Sequence, residues 1–111
     1  MPIPPSQEPA VFIQTQEALN KALTVISAAS ELAIDTEADS LHHYFEKVCL
    51  IQISHGQHHY LVDPLAGLDL QPLMEIFETR NLILHGADYD LRLLKSDFDF
   101  EPRGEVFDTM L

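Results

Sequence analysis

The chain has 111 residues, enough for one domain with a modest core and too few for two. Its 18 acidic and 6 basic side chains give a net charge of −12, which argues against binding nucleic acid through phosphate contacts alone. The hydrophobic fraction of 46% and only four glycines exclude a disordered segment. The single cysteine, Cys49, excludes an internal disulfide and fits a reducing compartment.

Residues 1–9 contain four of the seven prolines, so we predict an extended lead-in there and one domain over residues 10–111. The first residues lack a basic region followed by an apolar one, so we expect no signal peptide. No apolar run approaches the ~20 residues that span a bilayer. These features predict a cytoplasmic protein that makes no membrane contact.

The first half of the chain predicts a short edge strand over residues 10–13, a helix and a buried strand. Thr15 is a natural N-cap, and the apolar residues after it follow helical spacing to about Ser30. Residues 31–36 predict a strand, and the unbroken run Leu32-Ala33-Ile34 suggests that it is central and covered on both faces. Residues 38–46 follow neither period and predict a loop.

The second half continues the alternation of strands and helices. Two β-rich runs flank His55-Gly56-Gln57, which predicts a hairpin. The remaining predicted elements are strands over residues 47–54, 58–62, 81–85 and 106–107, and helices over residues 69–78 and 87–95, the last with Leu91 and Leu94 turned inward. Asp108 predicts the N-cap of a further helix beginning at Thr109. The pattern as a whole predicts an α/β fold.

Two carboxylates stand at the end of the first buried strand. Because side chains alternate along a strand, Asp35 and Glu37 should project from the same side. Paired carboxylates in such a place are tolerated when a cation lies between them, which predicts a divalent-metal site. The alternative is that Asp35 ends the strand, Thr36 turns the chain and Glu37 is solvated. An isolated Asp-x-Glu motif is short and common, so by itself it favours the alternative.

A third carboxylate, Asp90, follows the strand at residues 81–85 in a strand-to-helix passage. Parallel neighbouring strands would bring this passage beside Asp35 and Glu37, at the edge where open α/β sheets place their sites. A site built from these three side chains offers only oxygen ligands. Such a site suits Mg²⁺ or Mn²⁺ and not zinc.

Five blocks of sequence together carry a family resemblance. In chain order they are Asp35-Thr36-Glu37, Leu50-Ile51-Gln52-Ile53, Tyr60-Leu61-Val62-Asp63, His85-Gly86-Ala87-Asp88-Tyr89-Asp90-Leu91 and Val106-Phe107-Asp108-Thr109. Their order and spacing resemble the 3′-5′ exonuclease domain of the ribonuclease D family, a DEDDy-type member of the DEDD superfamily. The resemblance runs from about residue 10 to residue 111.

The resemblance implies a ribonuclease H-like fold, a mixed five-stranded sheet flanked by helices on both sides. It also implies two divalent cations, Mg²⁺ or Mn²⁺. Asp35 would bridge both cations, Glu37 would bind one and could touch the terminal 3′-hydroxyl, and Asp90 would bind the other. The implied activity is hydrolysis of RNA or single-stranded DNA from the 3′ end, releasing nucleoside 5′-monophosphates. The high negative charge does not exclude this activity, because bound cations supply local positive charge.

The chain departs from the family pattern at its end. The last motif, a tyrosine one turn before a fourth carboxylate, would lie beyond Leu111, so we expect a domain truncated at its C-terminal end. Without that motif we expect weaker metal binding and little turnover. The alternative function is a non-catalytic scaffold or binding module on the same fold. Exposed apolar surface at the incomplete end of the sheet also allows a homodimer as an alternative.

Four residues are candidates for contact with the substrate. Thr36 and Ala38 adjoin the paired carboxylates, and the family often has a bulky apolar residue at the position of Ala38. His43 and Tyr44 belong to the predicted loop and could meet the terminal base or sugar, the alternative being an ordinary exposed loop.

Overall fold

In this computed structural model, the structure describes residues 9–39 and 46–110. Those residues form six strands and three helices. In chain order these are β1 (Val11–Ile13), α1 (Gln16–Ile26), β2 (Glu31–Asp39), β3 (Lys47–His55), β4 (His58–Val62), α2 (Gln71–Thr79), β5 (Asn81–Leu84), α3 (Ala87–Phe98) and β6 (Val106–Asp108). Among these helices, none has the length and apolar character needed to cross a membrane.

The strands form one mixed sheet in the order β1-β4-β3-β2-β5-β6. The β2–β3 and β3–β4 pairs are antiparallel, and the β1–β4, β2–β5 and β5–β6 pairs are parallel. The predicted α/β class and mixed sheet are confirmed, with six strands instead of five. The sixth is the short edge strand β1, which pairs with β4 through Val11 and Tyr60.

The first helix begins where the sequence predicts and ends earlier. Thr15 caps α1, its side-chain Oγ1 accepting a hydrogen bond from the Ala18 N–H at 3.2 Å. The helix stops at Ile26, four residues before the predicted end at Ser30. Arg80 helps to fix this end, because its guanidinium donates to the carbonyl oxygens of Ser27 at 2.8 Å and Ala29 at 2.7 Å. These bonds satisfy backbone carbonyl oxygens in the segment that directly follows the helix.

The third helix is longer than predicted. It runs to Phe98 and ends at Asp99, which adopts the left-handed conformation with φ 54°. Its buried leucines are Leu93 and Leu94, whereas Leu91 is only partly buried. The prediction that Leu94 turns inward is therefore confirmed. Leu91, also predicted to turn inward, is only partly buried.

The sheet buries one face within the described residues. β2 is central, as predicted, but its burial alternates: Leu32 and Ile34 are at most 4% exposed, whereas Asp35 and Glu37 are exposed. All three helices contribute side chains to a single core on the buried face. The prediction that β2 is covered on both faces is therefore wrong for the described part of the chain. Residues of the neighbouring strands that align with Ala33 and Asp35 continue the open face across the sheet. They are Gln52, Leu61 and Phe12 on one side of β2 and Ile83 and Phe107 on the other.

Candidate active site

β2 carries Asp35 and Glu37 on the open face of the sheet, where they pair with Gln52 and Leu50 of β3. The side chain of Asp35 accepts a hydrogen bond from the backbone N–H of Thr36 at 3.0 Å. The register between β2 and β3 shifts directly after Glu37. Such irregularities bend a strand and re-aim its side chains, and they are common next to active sites.

Thr36 points to the opposite, buried face. Its side chain is 7% exposed, and its Oγ1 donates a hydrogen bond to Oδ1 of Asp90 at 2.5 Å. The contact joins the middle of the Asp35-Thr36-Glu37 motif to α3 across 54 positions of sequence. The side chain of Thr36 therefore does not lie on the surface where we expected a nucleotide. Its predicted contact with substrate could be made only through the backbone, and stays a prediction.

Asp90 is a buried carboxylate with one unpaired oxygen. It is 2% exposed, and within the described residues its Oδ2 has no hydrogen-bond partner. Burial raises the pKa of Asp90 above its ordinary value, and the hydrogen bond from Thr36 opposes that rise. The negative charges of Asp35 and Asp108 raise the pKa further. The ionised carboxylate of Asp90 is therefore unfavourable by itself. It is stabilised either by taking up a proton or by a cation bound close to it.

The helix that carries Asp90 is capped by a residue from β6. Gly86 precedes α3 with φ +80° and has no side chain of its own to cap the helix. Asp108 takes that role, its carboxylate accepting hydrogen bonds from the N–H groups of Gly86 at 2.9 Å and Ala87 at 2.8 Å. It also accepts one from Met110 at 2.9 Å. The bonds from Met110, Ala87 and Gly86 together lower the pKa of Asp108.

Asp108 was also predicted to cap a helix beginning at Thr109. It is the last residue of β6, and its Oδ1 accepts from the Met110 N–H two residues on, as an N-cap does, while Thr109 and Met110 form a turn. The helix itself would run past the described residues and stays a prediction. The Thr109 N–H donates to the Leu84 carbonyl oxygen at 2.8 Å, and its Oγ1 lies 2.9 Å from Nδ1 of His85. The turn thus holds the end of β5, directly before the passage to α3. The sequence indicated a capping aspartate here but gave no sign that it also caps α3, which comes earlier in the chain.

The described residues bring together only part of the predicted metal site. Across residues 9–39 and 46–110, no three His, Cys, Asp or Glu side chains lie close enough to enclose a metal ion. The negative charge of Asp35 raises the pKa of Asp90, so these two carboxylates lie near each other. The donors nevertheless fit a hard divalent cation, since all are carboxylate oxygens and Oδ2 of Asp90 lacks a partner.

The other substrate candidates lie near or beyond the edge of the described structure. Ala38 is partly buried and packs against the core. His43 and Tyr44 lie outside the described residues. The segment at residues 46–48 is hydrogen-bonded to α3. The Tyr89 hydroxyl donates to Glu46, and the Val48 N–H donates to Oδ2 of Asp97 at 2.7 Å.

The chain is similar in sequence to proteins of one known family. Residues 10–111 match the family model described as 3′-5′ exonuclease. Ribonuclease D of Haemophilus influenzae is 33% identical over 109 residues, covering 95% of this chain and 27% of that protein. The exosome complex exonuclease RRP6 of Saccharomyces cerevisiae is 32% identical over 102 residues, covering 89% of this chain and 14% of that protein. The chain therefore spans about a quarter or less of the length of these relatives.

Solved structures agree with the sequence matches. The structure of Escherichia coli RNase D, an exoribonuclease involved in structured RNA processing, superposes with a TM-score of 0.80 at 30% identity. The superposition covers 92% of this chain and 28% of that chain. The catalytic core of RRP6 from Trypanosoma brucei, in a C496S mutant, superposes with a TM-score of 0.78 at 30% identity, covering 91% of this chain and 29% of that one. The chain belongs to the 3′-5′ exonuclease family, in its ribonuclease D-like branch, and has the predicted ribonuclease H-like fold.

Proposed function

We propose that this chain forms part of a metal-dependent nuclease that hydrolyses phosphodiester bonds from the 3′ end of RNA or single-stranded DNA and releases nucleoside 5′-monophosphates. The observation that carries the proposal is the carboxylate of Asp90, buried with an unpaired oxygen and close enough to Asp35 to feel its charge. A buried carboxylate in this state gains most from a bound cation. Family membership supplies the reaction class, and the similarity to the Escherichia coli exoribonuclease favours RNA as substrate.

The proposed ligands of two Mg²⁺ or Mn²⁺ ions are Asp35 for both ions, Glu37 for one and Asp90 for the other. When bound, such a pair of cations supplies an activated water and stabilises the leaving 3′-oxygen. Asp35 and Glu37 lie on the exposed face of β2, where a nucleotide has free approach. Asp90 lies on the shielded side, where its Oδ1 accepts a hydrogen bond from Thr36 and its buried Oδ2 has no hydrogen-bond partner among the described residues.

The 3′ end of the nucleic-acid substrate is proposed to lie along the C-terminal part of β2. The backbone of Thr36, the small side chain of Ala38, and His43 and Tyr44 would contact the terminal nucleotide. A net charge of −12 repels phosphate, so affinity for the substrate should depend strongly on the divalent cations. We also propose a cytoplasmic location, which the lone cysteine supports.

The proposal is tested by metal binding and by cleavage. Calorimetric titration with Mn²⁺ is performed on the 111-residue chain, and cleavage of a labelled RNA is followed both with it and with a version extended as the gene continues past Leu111. We expect Asp35→Ala to abolish Mn²⁺ binding and cleavage. Glu75→Ala is the matched control, because it removes an exposed carboxylate from a different element, α2. Cleavage that survives Asp35→Ala undiminished would show the assignment to be wrong.

The alternative function, a non-catalytic scaffold or binding module, makes the opposite prediction. It is favoured by the net charge of −12, which opposes binding of phosphate. No heat on titration of the extended chain with Mn²⁺ would support the scaffold and contradict the nuclease. A homodimer through the C-terminal end of the sheet is a separate proposal, supported by Phe107 and Met110, which are 65% and 64% exposed. Light scattering that shows only a monomer would remove it.

A further inference from the structure

The contact between Thr36 and Asp90 does more than satisfy a buried hydroxyl. Both side chains are buried, at 7% and 2% exposure, and the 2.5 Å distance between Oγ1 and Oδ1 is short for a hydrogen bond. A hydroxyl that donates to a carboxylate forms a charge-assisted bond, stronger than a bond between neutral groups. The bond occupies one oxygen of Asp90, and the other, Oδ2, is buried without a hydrogen-bond partner among the described residues.

Thr36 is well placed to fix the direction of that unpartnered oxygen. It lies between Asp35 and Glu37 on a strand whose side chains alternate, so its side chain leaves the backbone on the opposite face from theirs. A β-branched threonine has few side-chain conformations on a strand, and the central strand β2 is held on both sides by β3 and β5. The donor is therefore more rigid than a long or exposed side chain would be.

We propose that Thr36 is a positioning residue for Asp90: its hydroxyl orients the carboxylate so that Oδ2 is presented as a ligand for a divalent cation. This inference rests on the proposed function, in which Asp90 binds metal. Hydrogen bonds that orient a metal ligand are commonly worth 10- to 100-fold in metal affinity. The middle residue of the Asp35-Thr36-Glu37 motif thus acts on the site from the buried side of the strand.

The test compares two substitutions of Thr36 in the same chain. Thr36→Val keeps the shape and removes the hydroxyl, whereas Thr36→Ser keeps the hydroxyl. Mn²⁺ affinity is measured by calorimetric titration, and thermal unfolding is followed without metal. We expect Thr36→Val to weaken Mn²⁺ binding about 10-fold or more and Thr36→Ser to stay within about 3-fold of the parent. Thr24→Val removes an exposed hydroxyl from α1 and should leave the affinity unchanged.

A double-mutant cycle separates this inference from the proposed function. If Thr36 acts through Asp90, Thr36→Val should weaken binding in the parent and have no further effect in Asp90→Asn. If Asp90→Asn binds Mn²⁺ as the parent does, the proposed function is wrong. If Asp90→Asn weakens binding and Thr36→Val does not, the role of Thr36 is overturned while the proposed function stands. Should Thr36→Val fail to fold, Thr36→Ala removes the same hydroxyl and is judged against Thr36→Ser in the same way.

Discussion

Replacing Gly104 by alanine tests how closely the segment before β6 is fitted to the body of the domain. A Cβ at residue 104 would lie 2.4 Å from the carbonyl oxygen of Arg80 and 2.9 Å from its carbonyl carbon. Both are backbone atoms, so the clash cannot be relieved by turning a side chain. The segment itself must move, which would stretch the bonds that join Leu82 N–H to the Glu105 oxygen at 2.8 Å and Glu105 N–H to Oδ1 of Asn81 at 3.0 Å.

The cost can be estimated from these contacts. Overpacking a tight contact costs about 1–3 kcal/mol, and a weakened hydrogen bond adds about 1 kcal/mol, so Gly104→Ala should destabilise the fold by about 2–4 kcal/mol. For a domain of this size the melting temperature should fall by roughly 10 °C or more. The φ of Gly104 lies outside the left-handed region, so the substitution adds no backbone strain.

Circular dichroism during thermal unfolding measures the effect, and Gly56 provides the control. Gly56 lies in the β3–β4 turn with φ +57°, and an added Cβ there would meet no atom within 4 Å. Gly56→Ala therefore costs only backbone strain, about 1–2 kcal/mol. A Gly104→Ala protein that melts with the parent, or above Gly56→Ala, would refute the close approach between residue 104 and the backbone of Arg80.

Two further predictions concern the carboxylates. The pKa of Asp90 is raised above 3.8, so the folded state binds more protons than the unfolded state above that pH. The parent should therefore lose stability relative to Asp90→Asn as the pH rises from about 4 in the absence of metal; a difference in urea midpoint that is constant with pH would contradict this. Asp108→Ala should speed amide hydrogen exchange at Gly86 and Ala87, which lose their acceptor. Glu105→Ala, the control, should not, and equal exchange in both variants would exclude the cap.

Local signals in the sequence predicted most of the fold. The Thr15 cap and the apolar spacing after it predict α1, and Gly56 between two β-rich runs predicts the β3–β4 hairpin, both of which the structure contains. These predictions succeed because a cap and a tight turn depend on residues close in sequence. The end of α3 was missed because it uses Asp99 in a left-handed conformation, a position where glycine is the usual signal.

The site was less predictable because its contacts span long stretches of sequence. Alternation along β2 places Asp35 and Glu37 on one face, and the same rule implies that Thr36 faces the other way, but no local pattern indicates that it meets Asp90. The cap that Asp108 provides likewise depends on β6 lying beside β5. Such contacts follow from strand order, which periodicity alone does not determine.

The cap on α3 has a consequence for synthesis on the ribosome. Asp90 leaves the ribosome with its helix, but the carboxylate that satisfies the first N–H groups of that helix is Asp108, in the strand that follows. At about 5–20 residues per second, the intervening chain takes about 1–4 s to make. During that interval the first N–H groups of the helix lack the acceptor that Asp108 later provides. The capping of α3 is therefore complete only once β6 has been translated and has added to the edge of the sheet.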